Sequence, residues 1–226
     1  MYDANLSEIN EIYYDVLKEI GNVGAGNATT AVANMLNMRI DMRVPNVKLL
    51  TLQSVSTAVS GEEDEIVGVY LGMEKDISGS MMFVLKMDSA HYLVNKLMGN
   101  PTDWKEPFTE MEQSALKEIG NIIAGAYLSA LSSLTHMVIA PTVPYIAIDM
   151  AAAILSVAAI QFGQYGDYAL MIETEFGDDK TIEGYFILLP EPESYSRILK
   201  SLGIPQEWRG YYEYNDKSGN GGFKYM

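Results

Sequence analysis

The feature that most constrains this chain is that it says one thing twice. Asp15 to Gly26, DVLKEIGNVGAG, returns at Ser114 to Gly125 as SALKEIGNIIAG, with Leu-Lys-Glu-Ile-Gly-Asn unchanged. Glu19 and Glu118 are 99 residues apart, as are Asn22 and Asn121, and the same offset carries Pro45 onto Pro144. A spacing held over that distance marks a duplicated unit. The repeat reaches further, since Ser80 to Gly99 lines up with Gly184 to Gly203. Each half then reads as a long helix, a few strands and a closing helix. With one hydrophobic face apiece to cover, two such halves can share a sheet about a pseudo-twofold axis. The expected fold is α/β (α+β), with long helices on a shared, mainly antiparallel β-sheet. Residues 1–205 form one domain of two repeats (6–99 and 109–203), and 206–226 form a Gly- and Tyr-rich tail.

On a helix of 3.6 residues per turn, Asp15, Glu19 and Asn22 fall within roughly 60° of one another, while Leu17, Ile20, Gly24 and Ala31 point the other way. The second copy sets Ser114, Glu118 and Asn121 against Leu116, Ile119 and Ile123 in the same manner. Each copy therefore has an apolar face and a face carrying a carboxylate beside a carboxamide. A single Glu-x-x-Asn reads as a solvated helix surface. Its retention in both copies, where packing does not require it, points to a shared task. Gly21, Gly24, Gly26, Gly120 and Gly125 each cost about 1 kcal/mol in a helix interior relative to Ala. Either another element approaches closely there, or a partner needs the backbone beside Glu and Asn.

In chain order, Leu6 to about Met38 is helical in period, with a kink or boundary possible at Gly24 to Gly26. Arg39 to Val44 reads as a strand ending at Pro45, and Val47 to Val59 continues strand-like. After the charged turn at residues 61–65 come a strand pair, Ile66 to Leu71 and Ser80 to Leu85, and a helix from Asp88 to Met98 stopped by Gly99. Thr109 and Glu112 form a capping box opening the second long helix. Met137 to Ala140 and Tyr145 to Ile148 are strand-like. Met150 to Val157 is a short helix that looks extra to the second half. Tyr168 to Glu175 and Gly184 to Leu189 pair around Gly177 to Lys180, and Glu193 to Leu202 is the last helix, ending at Gly203.

A formal charge of −15 argues against nucleic acid or an anionic membrane as partner. With no cysteine, disulfides and thiolate chemistry are excluded. The start, MYDANLSEINEIYY, is acidic where a signal peptide is basic. The longest apolar run, Met150 to Ile160, is broken by Ser156 and too short to span a bilayer. The expectation is a soluble, cytoplasmic protein.

Other signals carry less. Gly24-Ala-Gly26 follows no strand and is not a dinucleotide loop. Asp216 to Gly221 matches only the opening of a calcium loop, whose glutamate would fall just past Met226. His91 and His136 stand alone and read as surface or core rather than ligands, and no serine sits in a nucleophile elbow. No metal or cofactor site of the chain's own is expected.

At its two motifs the chain resembles the CheC/CheX/FliY family of chemotaxis phosphatases, whose signature is Asp or Ser, three residues, Glu, two residues, Asn, twenty-two residues, Pro. Asp15, Glu19, Asn22 and Pro45 satisfy it, as do Ser114, Glu118, Asn121 and Pro144. Two complete motifs resemble the CheC branch, since CheX carries one and works as a dimer, and FliY would need a further C-terminal domain. The switch protein FliM lacks the Glu and Asn.

The resemblance implies hydrolysis of the aspartyl phosphate of the response regulator CheY, with magnesium supplied by the regulator. It implies that Asn22 and Asn121 orient the attacking water and that Glu19 and Glu118 pair with a lysine of the regulator. Asp15, Ser114, Pro45 and Pro144 support the motif, the prolines by shaping the strands. The resemblance also implies a monomer and a second partner, the receptor deamidase CheD, for which Asp149 to Val157 is a candidate surface. The alternative is a non-catalytic adaptor for CheD or CheY, and a third reading, a purely structural duplication, would require both Glu/Asn faces to be buried.

Overall fold

The computed structural model describes residues 4–37, 39–44, 46–162, 168–177 and 181–203. The first half runs α1 (Ala4–Leu36), β1 (Asp41–Arg43), β2 (Val47–Thr51), α2 (Leu52–Val59), β3 (Glu65–Lys75), β4 (Gly79–Lys86) and α3 (Met87–Met98). The second half repeats that order as α4 (Glu110–Thr135), β5 (Ile139–Pro141), β6 (Tyr145–Met150), α5 (Ala151–Phe162), β7 (Tyr168–Gly177), β8 (Thr181–Pro190) and α6 (Pro192–Ser201). Pro45, residues 178–180 and residues from 204 on, including the partial calcium-loop pattern, lie outside the described residues.

Local chemistry sets the helix ends. Thr109 Oγ1 accepts from the N–H of Glu112, whose carboxylate accepts from the Thr109 N–H at 2.8 Å, so the capping box opens α4. Gly99 and Gly203 both lie in the left-handed region, with φ of 72° and 74°, and stop α3 and α6 at matching places. Asn37 and His136, also matched in the repeat, end the two long helices in the same conformation, with φ of 50° and 57°.

Among the described residues the strands make one eight-stranded sheet in the order β1-β7-β8-β4-β3-β5, with β2 continuing β1 along β7 and β6 continuing β5 along β3. Every pairing is antiparallel. The first half's edge strands pair with the second half's hairpin, and the second half's with the first, so the halves interlock. At the centre Met82 pairs with Ile187 and Phe83 with Phe186. The sequence repeat aligns Met82 with Phe186 and Phe83 with Ile187, so the twofold axis passes between these two pairs.

The central strands are buried on both faces and so read as continuous apolar runs. Met81, Phe83, Leu85, Phe186 and Leu188 face a core under α1, α3, α4 and α6. Met82, Val84, Tyr185, Ile187 and Leu189 face a second core under α2 and α5. This corrects two expectations. Val47 to Val59 is not one strand: β2 ends at Thr51 and α2 follows, because Val55 and Val59, one helical turn apart, bury together against the sheet and α5. The β-branched residues at 55, 57 and 59 imitate a strand's alternation. The helix after β6 is therefore not extra, since α2 begins after Thr51 where α5 begins after Met150, 99 residues on. The first N–H groups of α5 donate to Asp64 O and Glu62 O, 2.8 and 3.0 Å away, tying it to the other half's turn.

Candidate functional site

α1 is unbroken through Gly21, Gly24 and Gly26, with no boundary at Gly24 to Gly26, and this keeps the first motif on a single helical surface. Leu17 and Ile20 are buried, whereas Asp15, Glu19 and Asn22 are exposed on the opposite side. On α4, Leu116, Ile119 and Ile123 are buried, Ser114 and Glu118 are exposed, and Asn121 is half-buried. Each Glu and Asn, three apart on a helix, place their Cβ atoms about 5–6 Å from one another. The structure thus brings Glu19 to Asn22 and Glu118 to Asn121. Pro144 immediately precedes β6.

Among the described residues no hydrogen bond or ion pair engages the side chains of Glu19, Asn22, Glu118 or Asn121. Each pair therefore presents two unused carboxylate oxygens next to a free carboxamide. That is chemistry for meeting a cation and for aligning a water or hydroxyl, the carboxamide carrying no charge of its own. A structural duplication with both faces buried does not fit this exposure.

The two helices pack against each other behind these faces. A Cβ on Gly24 would lie 2.5 Å from Tyr127 Cδ1, so the glycine of one copy makes room for the tyrosine of the other. Tyr127 is held from two sides, its ring stacked on Phe186 with centroids 4.5 Å apart and its hydroxyl sharing a 2.9 Å hydrogen bond with Thr174 Oγ1, and burial pushes its pKa up to about 12. Gly120 is pressed on β3, where a Cβ would lie 2.6 Å from that of Val69. These contacts fix how far each motif stands above the sheet.

The histidines are far from such chemistry. His91 is buried and stacked on Phe108, centroids 4.2 Å apart, and burial with the nearby Lys105 holds its pKa below the ordinary 6.5. His136 is exposed at the end of α4. Among the described residues no three His, Asp or Glu side chains gather as a metal site, and no helix is long and apolar enough to cross a membrane.

A duplicated three-layer α/β/α fold with a solvent-facing Glu/Asn pair on each long helix defines a class, and comparison with known proteins names it. The CheC-like family profile matches residues 14–49 and 111–148, the two motif regions. The chain is 36% identical over 200 residues to the CheY-P phosphatase CheC of Bacillus subtilis, covering 86% of this chain and 96% of that one. It is 24% identical over 129 residues to the flagellar motor switch phosphatase FliY of the same organism, 57% of this chain and 33% of that longer protein. The X-ray structure of Thermotoga maritima FliY superposes with a TM-score of 0.68 at 20% identity, covering 84% of this chain and 95% of that one, and so shares the fold. The chain belongs to the CheC-like family.

Proposed function

We propose that this protein is an aspartyl-phosphate phosphatase acting on the phosphorylated response regulator CheY at two sites, one on α1 and one on α4. The observation that carries the proposal is the outward-facing Glu/Asn pair repeated on both helices with no partner among the described residues. The relatives named as phosphatases, which include a CheY-P phosphatase 36% identical, supply the enzyme class.

An acyl phosphate is already activated, so the enzyme's task is placement. The Asn22 or Asn121 amide carbonyl accepts a hydrogen bond from a water and holds its oxygen in line with phosphorus, opposite the bond to the regulator's aspartate. Water attacks, that phosphorus–oxygen bond breaks, and inorganic phosphate leaves while the aspartate departs as a carboxylate. A carboxamide suits this better than a carboxylate because it brings no negative charge to an anionic phosphoryl group. Glu19 and Glu118, beside each asparagine, anchor the regulator through a lysine and fix the approach. Magnesium belongs to the regulator, so the chain needs no cofactor of its own. Because one chain supplies both sites, a monomer in the cytoplasm suffices.

The adaptor reading keeps CheD as a second partner. Ala152, Ala153 and Val157 are exposed on α5 and offer a small apolar face, although α2 occupies the matching place in the first half, so uniqueness of the segment no longer argues for it.

The test is the dephosphorylation rate of magnesium-loaded phospho-CheY with wild type, Asn22→Ala, Asn121→Ala and the double variant. Each single change should lower the rate and the double should leave only the regulator's own hydrolysis, while binding persists. Glu19→Ala with Glu118→Ala should raise KM more than it lowers kcat. A double asparagine variant as fast as wild type would remove the catalytic reading and leave the adaptor.

A further inference from the structure

Of the five motif glycines, packing explains three. A Cβ at Gly21 would meet Val44 Cγ1 at 3.1 Å, at Gly24 it would strike Tyr127, and at Gly120 it would strike Val69. Gly26 and Gly125 are different. Among the described residues nothing lies within 4 Å of a Cβ built on either, Gly26 is exposed and Gly125 half-buried, and both sit in unbroken helix where alanine is intrinsically better. Neither has a positive φ to demand glycine. The two positions are the same position of the repeat, 99 apart, so the fold carries the same unexplained cost twice.

Their place on the helix suggests the reason. Gly26 is four residues beyond Asn22, about 6 Å along the axis, and at 100° per residue it lies angularly between Glu19 and Asn22. Gly125 stands in the same relation to Glu118 and Asn121. An asparagine is short. To hold water at a phosphorus atom on another protein, its helix must come close enough that the two backbones nearly touch, and any longer side chain on that line would meet the regulator first.

We infer that Gly26 and Gly125 are clearance positions of the docking face, kept without side chains so that the phosphorylated regulator can close onto the helix backbone beside Asn22 and Asn121. The inference rests on the phosphatase reading and adds to it residues that touch neither water nor phosphate. It predicts opposite signs for stability and activity. Filling these positions removes a helix defect without a clash, yet holds the regulator away.

The experiment isolates one site at a time. In an Asn121→Ala background, Gly26 is changed to Ala and to Leu; in an Asn22→Ala background, Gly125 is changed likewise. Thermal unfolding and steady-state hydrolysis of magnesium-loaded phospho-CheY are measured for each. The expected result is a melting temperature raised by about 2–4 °C for Ala. KM should rise with side-chain volume, with kcat/KM falling roughly tenfold or more for Leu, equivalent to about 1.4 kcal/mol of docking. The Ala variants, which cannot overfill an open surface, keep the test sound should a Leu variant fail to fold. Leu variants that fold and match their backgrounds would overturn the inference while leaving the phosphatase reading intact. A lowered melting temperature for the Ala variants would overturn it too, by revealing a packing role. Failure of the phosphatase reading shows separately, as activity surviving in the Asn22→Ala, Asn121→Ala double variant.

Discussion

A methyl group added at Gly24 would sit 2.5 Å from the Tyr127 ring, and one at Gly120 would sit 2.6 Å from Val69 Cβ. Tyr127 cannot step aside because Phe186 and Thr174 hold it, and Val69 is β-branched on β3, which is paired on both sides. Gly24→Ala and Gly120→Ala should therefore each destabilise the protein by about 1–3 kcal/mol, since overpacking outweighs the better helix propensity of alanine. Urea unfolding checks this, and a stabilised Gly24→Ala would mean that α1 and α4 do not pack as described. Sequence could list these glycines and name the two possible reasons for them. It could not sort them, because the sorting depends on which atoms of a distant segment stand opposite.

At the scale of elements, α2 and α5 decide whether the sheet has one covered face or two. Ile154 is buried on α5 against Gly68 of β3, where a Cβ would meet its Cγ2 at 3.0 Å. Ile154→Ala should cost about 2–5 kcal/mol, whereas Val157→Ser on the exposed side of the same helix should stay within about 0.5 kcal/mol. Equal losses from both in denaturant titrations would contradict the layer assignment. The long helices, the hairpins β3–β4 and β7–β8 and the closing helices were legible from period, caps and glycine stops, because those signals are local. α2 was not, because its valines at 55 and 59 serve a helical face while alternating with β-branched Thr57 in a way a strand would.

For the whole molecule, the interlock of edge strands makes the halves mutually dependent. β1 and β2 have their partner on β7, and β5 and β6 have theirs on β3. Residues 1–108 alone would lose the partner of one edge and expose the centre of the sheet at β4, an open template for aggregation. The expectation is that fragments 1–108 and 109–226 show no cooperative thermal transition separately and regain one when mixed. Independent melting of either fragment would argue for two separable domains.

By itself the sequence determined the duplication, the order of the long helices, hairpins and closing helices, and which side chains share the outward face of each long helix, because periodicity, caps and a 99-residue offset are written along the chain. Tertiary structure alone decided that the sheet is covered on both sides, that each half lends its edge to the other, and that two of five motif glycines face open space. Those outcomes turn on contacts between residues far apart in the chain, and local pattern carries no record of what stands opposite a surface.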